Sequence, residues 1–237
     1  MQIKSALFGH TVDTGISPRV SKLRAVTAGL CLLASIAASA PASAALTQNN
    51  YVNGFSDFTL NRPGQSGQSV QAGGFSGVFN GAAFISYCLE LAQTFSFGTT
   101  YNSYASVPVA SAPNTSPMGG AKASDLSRLM GSYFAGSFAS TLTTTAMQLA
   151  IWEIVYETGP AYTVDAGGFE VTGGDAGSRA LANTYLANLG SISAPLLALG
   201  SPDQQDFITV IPVPPSMALF AGGLLFGLWG VRRRTAV

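Results

Sequence analysis

Cys88 and Gln148 are the residues of this 237-residue chain whose types suit covalent chemistry. The chain has two cysteines, Cys31 and Cys88, and one histidine, His10. Cys31 and His10 fall in an N-terminal leader, so we expect the exported chain to keep one thiol and no imidazole. This excludes Ser-His-Asp and Cys-His catalysis, histidine metal sites and cysteine-rich zinc sites. An exported thiol that has no disulfide partner needs another explanation.

Two carboxylates at helical spacing, Glu153 and Glu157, form the other candidate pair. Residues four apart share a helix face, and glycoside hydrolysis needs two carboxylates at one cleft. Like charges at this spacing are more often solvated on an exposed face. No glycine-rich phosphate loop precedes a predicted helix. We therefore expect a protein that is not an enzyme, with no metal and no cofactor.

Cys88 lies in a segment, 83–91, that has the alternation of a β-strand. Its odd positions from 85 onward are apolar, whereas Cys88 shares the other face with Ser86 and Glu90. Gln148 lies in a predicted helix at 143–157, on the flank beside an apolar stripe. The two residues are therefore expected on different elements.

The remaining pattern predicts a mainly β domain with a helical subdomain, of the α+β class. Helices are expected at about 123–136, 143–157 and 175–189, with Ser124 and Asp175 as N-caps. We expect a β-sandwich or barrel with two or three helices packed on it. Strands are predicted at 55–60, 74–79, 83–91, 169–171 and 207–211, with a hairpin turn at Asn80-Gly81 and another turn at 61–64.

The first 44 residues have the order of a secretory signal peptide. Four basic residues precede an apolar run at 25–37, and small residues follow it. The run is too short for a membrane anchor, which is the alternative interpretation. Cleavage is expected at Ala42-Ser43-Ala44 by the secretion machinery and signal peptidase. The exported domain then comprises residues 45–209.

Residues 210–237 combine a proline motif, an apolar run and an arginine cluster. The apolar run at 217–231 reaches roughly 22 Å as a helix, against a hydrocarbon core of about 30 Å. It is a marginal transmembrane helix that an upstream extension would complete. The prolines are Pro212, Pro214 and Pro215, and the cluster is Arg232, Arg233 and Arg234.

This three-part order resembles the PEP-CTERM sorting signal of Gram-negative bacteria. The resemblance implies export, an intermediate anchored in the inner membrane, and recognition by an exosortase, a membrane protease. The final location would be the cell surface or extracellular matrix, in association with exopolysaccharide. Val213 departs from the best-known form, which carries Glu there. A plain C-terminal membrane anchor is the alternative.

Charge is unevenly distributed along the chain. Residues 45–210 hold four basic and ten acidic side chains, a net charge of minus six. Nucleic-acid binding needs clustered lysine and arginine, so we expect no nucleic-acid partner. The balance is ordinary for a soluble extracellular domain.

The pairing of Tyr87-Cys88 with the segment from Met147 to Trp152 resembles the thioester domains of bacterial surface adhesins. In that family an aromatic-Cys motif lies upstream of a hydrophobic-Gln-x-hydrophobic-hydrophobic-Trp motif. The resemblance implies that the Cys88 thiol attacks the Gln148 side chain, releases ammonia and forms an internal thioester. Surface amines or hydroxyls would open it, and Tyr87 and Trp152 would shield it from water.

A second interpretation stays open from the sequence. Buried free cysteine is common and behaves as a small apolar residue. Cys88 would then be inert, and the chain would be a structural or matrix protein of an exopolysaccharide or biofilm layer.

Overall fold

A computed structural model describes residues 44–211 of the chain. Residues 1–43 of the predicted leader and residues 212–237 of the predicted sorting signal lie outside the described residues. Within 44–211, no helix is both long enough and apolar enough to cross a membrane. The described part is mainly β with three α-helices, which confirms the expected α+β class.

The described residues form seven strands and three α-helices. The strands are β1 (Ala44–Arg62), β2 (Gln65–Phe79), β3 (Ala82–Cys88), β4 (Thr100–Val107), β5 (Glu170–Gly173), β6 (Leu196–Gly200) and β7 (Phe207–Val210). The helices are α1 (Gly119–Tyr133), α2 (Thr141–Tyr156) and α3 (Ala176–Ala187), with a short 3-10 helix at Val109–Ser111.

The strand pairings are antiparallel and close on themselves. Their order is β2-β3-β7-β6-β4-β1, and β1 also pairs with β2, so six strands form a ring. β5 adds to the C-terminal end of β1. A closed ring leaves few unpaired strand edges, and it carries β3 between β2 and β7.

The hairpin that delivers Cys88 is the one predicted. Phe79 pairs with Ala82, and the two residues between them, Asn80 and Gly81, have φ of 49° and 81°. Two positive φ values in a two-residue loop suit the twist of paired strands, and Asn and Gly tolerate them best. The turn at 61–64 is also present, between β1 and β2.

β1 and β2 are much longer than predicted. Polar residues in both strands mask the alternation, but their backbones pair from Leu46 opposite Phe79 to Arg62 opposite Gln65. β6 was not predicted, and the strand predicted at 83–91 ends at Cys88. In each case pairing with a distant segment, rather than local pattern, sets the strand bounds.

Helix α2 is the centre of the domain. Every residue from Thr144 to Tyr156 is buried, and the helix contacts β1, β2, α1 and α3. Its N-terminus carries a capping box in which Ser140 and Thr143 each accept a hydrogen bond from the other's backbone N–H. The sequence predicted an apolar stripe on one face of this helix, but the helix is buried on all of its faces.

The other two helices differ in how well their starts were predicted. Asp175 caps α3 as expected, since its carboxylate accepts a hydrogen bond from the Ser178 N–H at 2.7 Å. The prediction of Ser124 as the cap of α1 was wrong. That helix begins at Gly119, directly after Met118, without a side-chain cap. Two glycines at its start resemble loop sequence, which hid the first turn.

Candidate functional site

The β2–β3 ladder ends just before Cys88. Its last pair joins Phe75 to Ser86, and the same register would place Gly73 opposite Cys88. No such pair forms, because β2 leaves β3 at this point. The backbone N–H and C=O of Cys88 on that side are thus available to another partner.

Two threonines of α2 bond to the backbone of β2 where it departs. The Gly74 N–H donates to Thr144 Oγ1 at 2.8 Å, and Thr145 Oγ1 donates to the Ala72 carbonyl at 3.4 Å. A side chain at Gly74 would place its Cβ 2.9 Å from Thr144 Oγ1. Glycine at this position therefore lets the helix enter the gap between β2 and β3.

Gln148, one turn further along α2, takes the place that β2 leaves on Cys88. The Cys88 N–H donates to Gln148 Oε1 at 2.9 Å, and Gln148 Nε2 donates to the Cys88 carbonyl at 2.9 Å. The carboxamide carbon is one bond from each of these side-chain atoms. Gln148 is 0% exposed and Cys88 is 3% exposed. The structure therefore brings together the two residues of the predicted thioester.

A cavity of about 240 Å³ lies beside Cys88. Sequence reasoning missed most of its lining, which combines amide and aromatic side chains and contains no Asp, Glu, Lys or Arg. The amides come from strands and loops far apart in the chain, so no local motif marks them. The lining includes Tyr51, Gln68, Gln71, Phe75, Gln93, Phe95, Trp152 and Gln205.

The two predicted shielding residues lie in different places. Trp152 is buried and lines the cavity of Cys88, and its Nε1 has no hydrogen-bond partner among the described residues. Tyr87 precedes Cys88 in β3, so its side chain points to the other face of the strand. There its hydroxyl donates to Ser137 Oγ at 2.7 Å and its ring stacks on Phe138.

Comparison with known proteins does not assign this chain to a family. Comparison of the chain with protein-family models, with curated proteins and with solved structures finds no match. Its function has to be inferred from the chemistry of the residues themselves.

The Cys88 thiol is held in its protonated form. Burial, followed by the nearby Glu90 carboxyl, raises the pKa of Cys88 well above its ordinary value. Ser86 and Glu90, predicted to share its face, are buried as well. A thiol of this kind resists oxidants, because the thiolate is the reactive form.

Glu90 ties the end of the Cys88 strand to the loop before β7. Its carboxyl accepts hydrogen bonds from Thr115 Oγ1 at 2.6 Å and from the Asp206 N–H at 3.2 Å. Its carbonyl accepts one from Gln205 Nε2 at 2.7 Å. Burial raises the pKa of both Glu90 and Asp206. Gln205 lines the cavity beside Cys88, so these contacts hold that part of the cavity wall in place.

Glu153 and Glu157 are both buried, so the expectation of a solvated pair was wrong. Burial raises the pKa of Glu157, but hydrogen bonds from backbone N–H groups outweigh it and lower the pKa overall. Four N–H groups, of residues 158, 159, 168 and 169, surround that carboxylate. Glu153 accepts one N–H, from Thr163 at 2.8 Å. Neither residue lines the Cys88 cavity, and Glu157 organises a loop.

Glu153→Gln should remove a pH dependence of stability. Burial raises the pKa of Glu153 to about 8, so the folded state holds a proton that the unfolded state releases near pH 4.5. The free energy of unfolding should therefore fall between pH 5 and pH 7, by about 2 kcal/mol. Urea unfolding of the variant should show a fall that is smaller by about this amount, because the buried Glu90 and Asp206 carboxyls, whose pKa values are also raised, still contribute. Glu170 is half-buried, and Glu170→Gln serves as the control that should keep the full wild-type fall. A fall in Glu153→Gln as large as that of the wild type would contradict the assignment.

Proposed function

We propose that Cys88 and Gln148 form an internal thioester and that the exported domain is a covalent adhesin. The observation that carries this proposal is the reciprocal pair of hydrogen bonds between the Gln148 carboxamide and the Cys88 backbone. That pair holds an acyl group against the residue that bears the thiol. Such positioning replaces a bimolecular encounter by an intramolecular one.

The hydrogen bonds also suit the bond exchange. Attack of Cys88 Sγ on Gln148 Cδ moves negative charge onto Oε1, which already accepts the Cys88 N–H at 2.9 Å. Catalytic donors to a developing oxyanion lie at 2.7–3.1 Å. The Cδ–Nε2 bond then breaks, and Nε2 leaves as ammonia with the thiol proton. The C=O bond re-forms, now joined to sulfur.

Ligand capture would take place through the cavity beside Cys88. A primary amine or a hydroxyl attacks Cδ, the Sγ–Cδ bond breaks, and the nucleophile's proton passes to Sγ. The product is an amide or an ester between Gln148 and the ligand. Each domain reacts once, so the protein is not an enzyme. Trp152, on the cavity wall, limits the access of water.

Intact mass spectrometry tests the thioester. The measured mass of the purified wild-type protein should be lower than the mass calculated from its sequence by one ammonia. The measured mass of Cys88→Ala should equal its calculated mass. A fluorescent amine should label the wild type and not Cys88→Ala. Gln71→Ala, which alters another glutamine of the cavity, should keep both properties. A wild type that has its full mass, with a thiol that reacts with iodoacetamide once the protein is unfolded, would refute the proposal.

A matrix protein without covalent activity is the second candidate. The burial of Cys88 and its raised pKa favour it, because both are typical of an inert packed thiol. Gln148 would then be a structural residue that completes the hydrogen bonding of β3. The two candidates differ in the mass measurement and are both compatible with a surface layer of exopolysaccharide.

We further propose that the C-terminal segment is a PEP-CTERM-like signal read by an exosortase. The sequence order of prolines, apolar run and arginines supports this, as does the acidic charge of the preceding domain. Replacing Arg232, Arg233 and Arg234 by serine should leave the protein in the cell-envelope fraction in place of the cell surface. Undiminished surface display of that variant, measured by antibody labelling of whole cells, would count against the signal.

A further inference from the structure

A second cavity, of about 290 Å³, lies between the β1–β2 turn, α1 and the C-terminal end of α2. Arg62 and Lys122 both line it. Hydroxyl-bearing residues complete much of the wall: Thr115, Ser116, Tyr156 and Thr158. No Asp or Glu is among its lining residues.

Only these two cations of the described domain lack an ion pair. Residues 44–211 contain four basic side chains. Arg128 pairs with Asp125 at 3.2 Å, and Arg179 pairs with Asp165. No described carboxylate lies within ion-pair distance of Arg62 or Lys122, and both face one cavity in a domain of negative net charge.

Backbone and amide contacts hold both cations in place without neutralising them. Lys122 Nζ donates to the carbonyls of Val155 at 2.8 Å and Glu157 at 2.7 Å, so one of its three N–H donors is left. Arg62 donates through Nε to Gln68 at 2.8 Å and through one Nη to the Leu91 carbonyl at 3.3 Å. Three of its five N–H donors have no partner among the described residues.

The guanidinium of Arg62 is also fixed by an aromatic ring. Its Cζ lies 5.5 Å from the centroid of the Tyr156 ring, which is a cation–π distance. The Tyr156 hydroxyl accepts the Leu91 N–H at 2.8 Å and is thus anchored itself. Spare donors on a positioned guanidinium are the arrangement that binds an oxyanion through two parallel hydrogen bonds.

Two carboxyl groups that act on these cations, Glu157 on Lys122 and Glu90 on Arg62, already have hydrogen-bond donors. Four backbone N–H groups surround the Glu157 carboxylate, and Glu90 accepts from Thr115 and from the Asp206 backbone. Glu90 is also completely buried. Neither group competes for the donors that face the cavity.

We infer that this cavity binds the carboxylate of a small hydroxylated ligand, of the chemical class of an acidic sugar. Arg62 and Lys122 hold the carboxylate, and the hydroxyls of Ser116 and Thr158 face the ligand's own hydroxyl groups. The cavity volume is close to the lower end of known ligand sites, which suits one sugar ring. The assignment is independent of the thioester, although Gln68 and Leu91, which contact Arg62, also line the Cys88 cavity.

Calorimetric titration of the full-length protein with glucuronate, sulfate and glucose tests the site. We expect saturable binding of glucuronate, weakened by salt, competition by sulfate, and no binding of glucose. Arg62→Gln should weaken glucuronate binding at least about tenfold, since a hydrogen bond to a charged group is lost. Arg179→Gln, which removes a paired cation elsewhere, should leave it unchanged.

Ala92→Glu gives a second test that leaves both cations in place. Ala92 is exposed and lines the cavity, so a carboxylate there should abolish glucuronate binding without loss of folding. Equal binding of glucose and glucuronate would overturn the inference. So would equal weakening by Arg179→Gln and Arg62→Gln, or glucuronate binding that persists in Ala92→Glu.

Discussion

Gln148→Glu should destabilise the domain by about 3 kcal/mol or more at pH 7. A carboxylate has nearly the shape of the carboxamide but no N–H, so the Cys88 carbonyl loses its donor and faces a buried charge. A protonated glutamate can donate to that carbonyl, which raises the pKa of residue 148 in the folded state. The loss should therefore shrink as the pH falls below that raised value.

Urea unfolding at pH 7 and pH 5 measures this effect. It is best made in a Cys88→Ala background, where no thioester can form and the backbone hydrogen bonds remain. Gln71→Glu provides the control, because Gln71 is exposed and its carboxylate stays in water. If Gln148→Glu and Gln71→Glu had the same stability at both pH values, the Gln148 contact would not support the strand as described.

Trp152→Ala should cost about 3–5 kcal/mol of unfolding free energy and shorten the life of a thioester. The side chain is one of the largest fully buried groups and forms part of the wall beside Cys88. Its removal joins new space to the cavity, so water can reach Gln148 Cδ and hydrolyse the thioester to a carboxylate and a free thiol. The intact mass should then rise by one water.

Trp152→Phe separates the two parts of this prediction. It keeps an aromatic ring in the wall, so it should fold well and lose little of the mass deficit over a day. If Trp152→Ala fails to fold, Trp152→Leu provides an intermediate cavity. A thioester that survives equally long in the wild type and in Trp152→Leu would show that this side chain does not control water access.

Local patterns predicted the elements that carry the site better than their arrangement. Asn80-Gly81 specifies its turn through backbone conformations that few residues tolerate, so the β2–β3 hairpin was predictable. Asp175 likewise marks a helix start. By contrast, the bounds of β1 depend on pairing with β2 along its whole length, which no window of polar residues reveals.

The contact of Cys88 with Gln148 was predicted from a resemblance, but its geometry was not. It depends on the point at which β2 leaves β3, and that point is set by the entry of α2 beside Gly74. Alternation along β3 was enough to place the Tyr87 side chain on the other face of the strand from Cys88. The burial of Glu157 depends on backbone N–H groups of a loop whose path the sequence does not specify.

The departure of β2 from β3 before Cys88 lets Gln148, a residue far away in sequence, reach Cys88. A covalent bond between these two residues would therefore affect the stability of the whole domain. Cys88 and Gln148 are 60 residues apart, so a thioester between them closes a loop that contains β4 and α1. By analogy with a disulfide, a loop of that length stabilises the fold by about 4 kcal/mol through the entropy of the unfolded chain. Capture of a ligand by the proposed thioester would open the loop. We therefore expect the ligand-bound form of the domain to be less stable than the thioester form, because each attachment removes the domain's own cross-link.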